Sequence, residues 1–338
     1  MREYSRHYRQ RIVQEAGHEG QRRLSQACVA IVGLGPLGSM AAHMLSRAGI
    51  GTLRLIDRDS LRTNRAAADD IRPLTKLPKA VALQQALSRL SPGTRTEALV
   101  ADVSALSAED LLGGADLILD GTDNFETRFL LNDYALYKGK PWIFGFARCT
   151  EGMAYAVFPE DPPCLRCLFG CEPRRAETQI CDPSGSLVSA AHRIASFQAT
   201  EAVKILAGWG ERVDRRIWKV DVWSRFFKSI AVSHLENLPC SGCSCEDYPY
   251  LFPETSEKRL ALSGRNAVQI CLVSELPIDF REMAERLSGQ AEISFNPYLM
   301  NISVEPYEIT VFRNGRAIIE GTEDPQRAMS LYQRFVAA

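Results

Sequence analysis

Apolar residues fall along this chain in short, dense runs separated by stretches of helical spacing. Residues 29–32 form the first run and open into the glycine loop Gly33-Leu-Gly-Pro-Leu-Gly38, after which 39–47 read as a helix. Residues 53–56 predict a second strand ending at Asp57. Residues 79–90 carry Val81, Leu83, Leu87 and Leu90 at helical spacing, and 117–119 predict a buried strand that ends in Asp120-Gly-Thr-Asp-Asn124. Residues 142–144, 153–158 and 218–222 add strands, and 190–206 predict a long helix closed by Gly208. Strand and helix thus alternate. That order predicts an α/β fold, a Rossmann-like doubly wound mixed sheet with its ligand at the carboxyl ends of the strands.

The texture changes after Cys245. Tyr248-Pro-Tyr-Leu-Phe-Pro-Glu-Thr-Ser256 reads as a linker, so residues 1–247 are expected to form one domain, 248–256 a linker and 257–338 a small α+β domain. In that second domain 267–273 predict a strand, 280–287 a helix, 307–312 with 317–319 a hairpin around Asn314-Gly315, and 326–335 a closing helix.

Composition narrows the function classes. With 338 residues, 46% of them apolar and 24% charged, the chain buries a sizeable core, and a net charge of -1 without a long basic run gives no support for nucleic-acid binding. No stretch reads as a membrane span or signal peptide, and residues 1–11 are polar and basic. A cytoplasmic protein is expected, with its ten cysteines reduced.

Two Cys-x-x-Cys pairs stand out among those cysteines, Cys164/Cys167 and Cys240/Cys243. Each pair can wrap its chain around one edge of a metal ion, so four thiolates at this spacing point to tetrahedral zinc rather than to disulfides in a reducing compartment. A closed four-sulfur shell leaves no open coordination position, which makes the zinc structural.

The second chemical signal is the glycine loop. Gly33, Gly35 and Gly38 follow a strand and open a helix, and Asp57 and Asp59 lie one strand further on. Glycines let the backbone approach phosphates, the helix start favours their charge, and an aspartate at that distance binds ribose hydroxyls. Alone, this pattern favours an NAD-dependent oxidoreductase. Lys79, Asp123 and Asn124 favour a triphosphate instead: a lysine neutralises phosphate charge, and a carboxylate at a strand end holds magnesium as pyrophosphate leaves. Taken singly, Lys79 reads as a solvated helix start and Asp123 as a turn or cap residue. No Gly-x-x-x-x-Gly-Lys-[Ser/Thr] is present.

Several motifs in order resemble the ThiF/MoeB/HesA adenylyltransferases, relatives of the ubiquitin-activating enzymes, over about residues 6–245. They are Arg9-Gln10 with Gly17-His-Glu-Gly-Gln21, the glycine loop, Asp57-Arg-Asp59, Leu77-Pro-Lys-Ala80, Asp120-Gly-Thr-Asp-Asn-Phe125, Pro163-Cys-Leu-Arg-Cys-Leu168 and Gln198-Ala-Thr-Glu-Ala-Val-Lys-Ile-Leu206. The tail segments Gly264-Arg-Asn-Ala-Val-Gln269, Asn296-Pro-Tyr-Leu299 and Gly315-Arg-Ala-Ile-Ile-Glu-Gly-Thr322 resemble the extra domain of longer, Bacillus-type ThiF proteins.

The resemblance implies ATP-dependent adenylation of the C-terminal Gly-Gly carboxylate of a small ubiquitin-like sulfur carrier. The carrier would be ThiS-like, for the thiamine thiazole, or MoaD-like, for molybdopterin. It further implies that Asp57 binds ribose, Lys79 and Arg9 bind phosphates, Asp123 holds magnesium, and Arg9 reaches the partner's site in a homodimer. A cysteine desulfurase or other sulfur donor would complete the pathway. Cys181 matches a family cysteine able to attack the adenylate or hold a covalent link to the carrier. One motif departs from the family. Where relatives read Asn-Leu-x-Arg-Gln, this chain has Thr63-Asn-Arg-Ala-Ala-Ala-Asp69. Asn64 matches, the arginine's register does not, and Arg65 is expected to replace it ahead of Arg62 and Arg72. That departure keeps a non-catalytic carrier-binding protein as a rival reading.

Overall fold

The computed structural model describes residues 17–59, 77–170, 186–235, 239–240, 242–252, 259–261, 266–270, 278–313 and 315–336. The chain divides into two compact units, residues 1–253 and 254–338.

In the first unit the described chain runs α1 (Gly17–Leu24), β1 (Cys28–Val32), α2 (Pro36–Ala48), β2 (Thr52–Ile56), α3 (Lys79–Leu90), β3 (Arg95–Leu99), α4 (Ala108–Leu112) and β4 (Leu117–Asp120). It continues through α5 (Phe125–Lys138), β5 (Trp142–Arg148), β6 (Glu151–Val157), α6 (Leu165–Phe169), α7 (Val188–Leu206), β7 (Arg216–Asp221) and β8 (Phe226–Ala231). The eight strands form one sheet in the order β3-β2-β1-β4-β5-β6-β7-β8. The first five are parallel and the last three antiparallel, so the sheet is doubly wound and mixed as expected.

Strand β1 shows why the short apolar runs could be read. Val29 and Ile31 enter the core on one face of the sheet with Leu45 and Ile194, while Ala30 and Val32 enter the other with Phe129 and Trp142. A parallel strand covered on both faces has no polar side, so its sequence is a run rather than an alternation. The helix after it begins at Pro36, three residues earlier than the sequence suggested, because proline suits a first helical turn where the missing N–H has no partner anyway. Strand β3 and helices α4 and α5 were not read from the sequence. Strand β3 is half-exposed along its length, and α5 carries polar residues on its buried side.

The strand order reverses between β1 and β4, which opens a crevice at their carboxyl ends. Val32 is in register with Ile56 on one side and Asp120 on the other. The next residues, Gly33, Asp57 and Gly121, therefore line up along one edge, and Gly33 N–H donates to Ile56 O (2.9 Å) and Gly121 N–H to Val32 O (2.8 Å). Gly33 has φ of +83°, and a Cβ there would lie 2.7 Å from the Gly121 carbonyl carbon. Only glycine fits this approach of two loops.

The second unit is a six-stranded antiparallel sheet in the order β11-β12-β13-β14-β10-β9, made of β9 (Arg259–Ala261), β10 (Ala267–Ile270), β11 (Glu292–Phe295), β12 (Leu299–Val304), β13 (Tyr307–Phe312) and β14 (Ala317–Glu320). Helices α8 (Phe280–Arg286) and α9 (Pro325–Phe335) complete it, and Phe280, Met283, Leu331 and Phe335 join the sheet side chains in its core. The hairpin β13–β14 falls at the predicted turn; β9, β11 and β12 carried no clear pattern, and residues 271–273 of the predicted strand lie outside the described residues. Among the described residues no helix is long and apolar enough to cross a membrane.

Candidate nucleotide site and four-cysteine centre

Asp57 leaves the end of β2 almost fully buried and ties the crevice together. One carboxylate oxygen accepts the Leu34 N–H at 2.6 Å, inside the glycine loop, and the other accepts the Asp59 N–H at 2.7 Å. Lys79, the first residue of α3, extends its Nζ to 3.1 Å from Asp59 and 3.9 Å from Asp57. Burial pushes the Asp57 carboxyl up from its ordinary range and the charge of Asp59 adds to this, while Lys79 and the two amide donors oppose it. Asp57 thus touches the glycine loop with Asp59 and Lys79 beside it, a carboxylate able to accept from sugar hydroxyls and an ammonium able to meet phosphate charge.

Beside them, Arg58 donates to both carboxylate oxygens of Asp102 at 3.3 Å, after β3. Burial works against its charge, but Asp102, Asp59, Asp123 and Asp57 more than offset this and hold its pKa above the usual value. Arg58 therefore belongs electrostatically to the same crevice, and the sequence reading passed over it as the middle of a motif.

The loop after β4 carries Asp123, which is exposed, and Asn124, whose Oδ1 accepts the Thr127 N–H at 2.8 Å and caps α5. A buried network fixes this loop. Asp120, with no exposure, accepts the Thr122 N–H (2.8 Å) and hydroxyl (2.6 Å) on one oxygen and the Arg128 Nε–H (3.0 Å) on the other. Arg128 Nη2 donates to the carbonyls of Thr122 (2.5 Å) and Gly145 (3.1 Å), and its guanidinium lies among the rings of Phe125, Phe144 and Phe146. From α7, Gln198 Nε2 donates to Asp120 O (2.8 Å) and Ile143 O (3.1 Å). Sequence reasoning missed Arg128. The available signal was a charged residue one helical turn beyond the capping Asn124, next to the apolar Phe129, Leu130 and Leu131.

The structure thus brings Gly33, Gly35, Gly38, Asp57, Asp59, Lys79, Asp123 and Asn124 to the carboxyl ends of β1, β2 and β4 and the start of α3. Arg9, Asn64, Arg65 and Cys181 lie outside the described residues, as do Arg62 and Arg72.

The four predicted cysteines also converge, with every pair of sulfurs within 4.8 Å. Sγ of Cys164 lies 3.8 Å from Cys167 and 3.7 Å from Cys240, and Cys167 lies 3.4 Å from Cys243. A tetrahedron with zinc–sulfur bonds of about 2.3 Å has edges of about 3.8 Å, so the residues present fit zinc. The Cys167 thiol donates to Cys164 and, against the opposing effect of burial, holds the Cys164 thiol below its ordinary range. Cys245, a conceivable fifth ligand, is exposed and outside the cluster. Cys149 is disulfide-bonded, which corrects the expectation that all ten cysteines stand as thiols.

A glycine loop, a buried aspartate and a lysine at the strand-order reversal, with a four-cysteine cluster able to hold a metal ion, define the class of nucleotide-binding α/β proteins. The ThiF family pattern matches residues 7–244, and the chain belongs to the ThiF family. It is 33% identical to the sulfur carrier protein ThiS adenylyltransferase of Bacillus subtilis, over 98% of this chain and 99% of that one. It is 34% identical to the SAMP-activating enzyme E1 of Haloferax volcanii, over 73% of this chain and 93% of the relative. Among solved structures it resembles E. coli MccB with ATP, with a TM-score of 0.60 at 16% identity over 72% of this chain and 74% of that one, a likeness of fold.

Proposed function

We propose that this chain adenylates the C-terminal Gly-Gly carboxylate of a ubiquitin-like sulfur carrier protein, with the thiamine thiazole route first. The observation that carries this reading is the end-to-end likeness to a ThiS adenylyltransferase, which extends through the second unit as well as the nucleotide domain.

In the reaction, a carrier carboxylate oxygen attacks the α-phosphorus of ATP. A new O–P bond forms, the bond from that phosphorus to the bridging oxygen breaks, and pyrophosphate leaves with the electron pair. A carboxylate is already ionised at neutral pH, so no general base is required and the chain's work is positioning and charge neutralisation. Asp57 binds the ribose hydroxyls while its other contacts keep the glycine loop in shape. Lys79 exchanges its Asp59 partner for phosphate oxygens, Gly35 leaves its side of the loop open to the phosphate chain, and Gly33 and Gly38 let the loop pack closely on Gly121 and on itself. Arg9 of the second subunit in a homodimer, Asn64 and Arg65 add polar contacts to the phosphates, and Asp123 would hold magnesium, which when bound would supply charge neutralisation at the departing pyrophosphate. Zinc at Cys164, Cys167, Cys240 and Cys243 is structural. Cys181 then attacks the acyl-adenylate carbonyl carbon, forming a thioester link to the carrier as the bond to AMP breaks, AMP leaves and the thiol proton passes to solvent. The aromatic side chains of Trp223, Phe226 and Phe227 stand exposed on the β7–β8 hairpin at the edge of the sheet, which supports docking of a partner protein.

The test is carrier-dependent exchange of labelled pyrophosphate into ATP, using ThiS-like and MoaD-like proteins ending in Gly-Gly. Exchange with a ThiS-like carrier is expected, and preference for a MoaD-like one would move the assignment to the molybdopterin route. Tight carrier binding without any exchange would leave a docking protein and end the catalytic reading.

A further inference from the structure

Helix α5 is held at both ends by machinery of different kinds. Its N-terminal turn supplies the Asn124 cap and Arg128, which hold the 120–124 loop at the nucleotide crevice. Its later turns are held by the two arms of the four-cysteine centre. From the first arm, Leu165 N–H donates to Asn132 Oδ1 at 2.9 Å, and Arg166 Nη2 donates to both carboxylate oxygens of Asp133 at 2.9 and 2.8 Å. From the second arm, Tyr250 N–H donates to Asp133 Oδ2 at 2.9 Å, and its ring stacks on Phe129 at 5.2 Å. Asn132 and Asp133 have no exposure, and Arg166 is 7% exposed.

Arg166 and Asp133 therefore occupy a particular place. Arg166 stands between two of the cysteines, pairs with the helix, and donates from Nη1 to Asp247 O in the other arm at 3.2 Å. Asp133 takes one donor set from each arm. A buried carboxylate satisfied from two directions keeps its place only while both directions are held, because loss of either leaves desolvated acceptor capacity. The four sulfurs bring together arms that lie far apart in the chain.

We propose that the four-cysteine centre is a collar on α5, and that Asn132, Asp133 and Arg166 are positioning residues through which its closure fixes the 120–124 loop of the nucleotide site. The clip thus does more than stabilise the unit as a whole: it sets the order of one helix and of the loop that helix anchors. The functional part of this statement rests on the reading of that loop as part of the ATP site.

The experiment is hydrogen exchange by mass spectrometry on the full chain with zinc bound, after removal by a chelator, and after zinc is added back. Amides in 120–138 are expected to exchange about tenfold or more faster without metal and to recover when zinc returns, while 28–56 stay protected. Asp133→Asn should weaken zinc retention about tenfold and loosen 120–138 with zinc still bound. Arg166→Lys, which keeps the charge but lacks the second nitrogen that reaches Asp247 O, should do the same to a lesser degree. In pyrophosphate exchange both variants should raise the magnesium–ATP concentration for half-maximal rate while the carrier KM stays unchanged. Unaltered exchange of 120–138 on zinc removal overturns the proposal, and so does equal loosening of 28–56, which would mean general unfolding. Should the amides behave as expected while wild type activates no carrier, the collar stands and the adenylation reading falls.

Discussion

The Nζ of Lys79 lies 3.1 Å from the carboxylate of Asp59, so the first residue of α3 is bound to the end of β2 rather than free in solvent. The lysine is a quarter exposed, enough for a phosphate oxygen to replace the carboxylate. Its main-chain N–H also donates to Asp59 O at 2.9 Å, which fixes the helix start against the crevice. Lys79→Ala should lower kcat/KM for exchange about 100-fold or more, with an unchanged circular dichroism spectrum. Steady-state exchange kinetics check this, and a change confined to carrier KM would assign the lysine elsewhere.

Asp57 should give the protein an acid-side signature. Its carboxyl is raised first by burial and then by the charge of Asp59. A group whose folded-state pKa exceeds its unfolded value binds more protons when folded, so its contribution to stability is full below the unfolded pKa and is lost as pH rises through the folded one. The stability difference between wild type and Asp57→Asn should therefore shift against wild type as pH rises across that window. Ribose binding has the opposite sign, since the ionised carboxylate is the acceptor, and ATP KM should rise as pH falls through the same range. Urea titrations of both proteins over a pH series test the first part, and KM profiles the second.

Arg128 is the charged group on which the β4 loop depends. Its guanidinium serves Asp120, Thr122 and Gly145 together in a site where neither it nor Asp120 is more than 2% exposed. Arg128→Ala should cost about 3–5 kcal/mol, because it leaves a buried carboxylate unpaired. Arg128→Lys should recover only part, since an ammonium does not reproduce the planar fork. Chemical denaturation with both variants distinguishes this from a surface effect, for which the lysine variant would equal wild type.

The cysteine geometry predicts about one zinc per chain in protein purified without a metal-binding tag. Cys164→Ser should lose the metal and lower the melting temperature by several degrees or more. Elemental analysis with calorimetry checks both. Zinc-free wild type that melts at the same temperature as the zinc-loaded protein would remove the metal from the account of stability.

Much of this was legible in the sequence because it is local. The run Val29–Val32, the loop Gly33 to Gly38 and the two Cys-x-x-Cys pairs each have a spacing set by backbone geometry over a few residues, and such spacing survives in one dimension. From these came the doubly wound sheet, the glycine loop at the carboxyl end of its first strand, and the four cysteines that cluster. The remainder depended on register and on which side chains become buried together. That Asp120 receives Arg128 from its own helix start and that Gly145 and Gln198 close around them follows from the pairing of β4 with β5 and the packing of α7 on the sheet. Arg166 and Asp133 each look like ordinary surface charges in the sequence. Only the fold removes them from water and makes them partners, since the cost of burying either charge alone is what forces the two to meet.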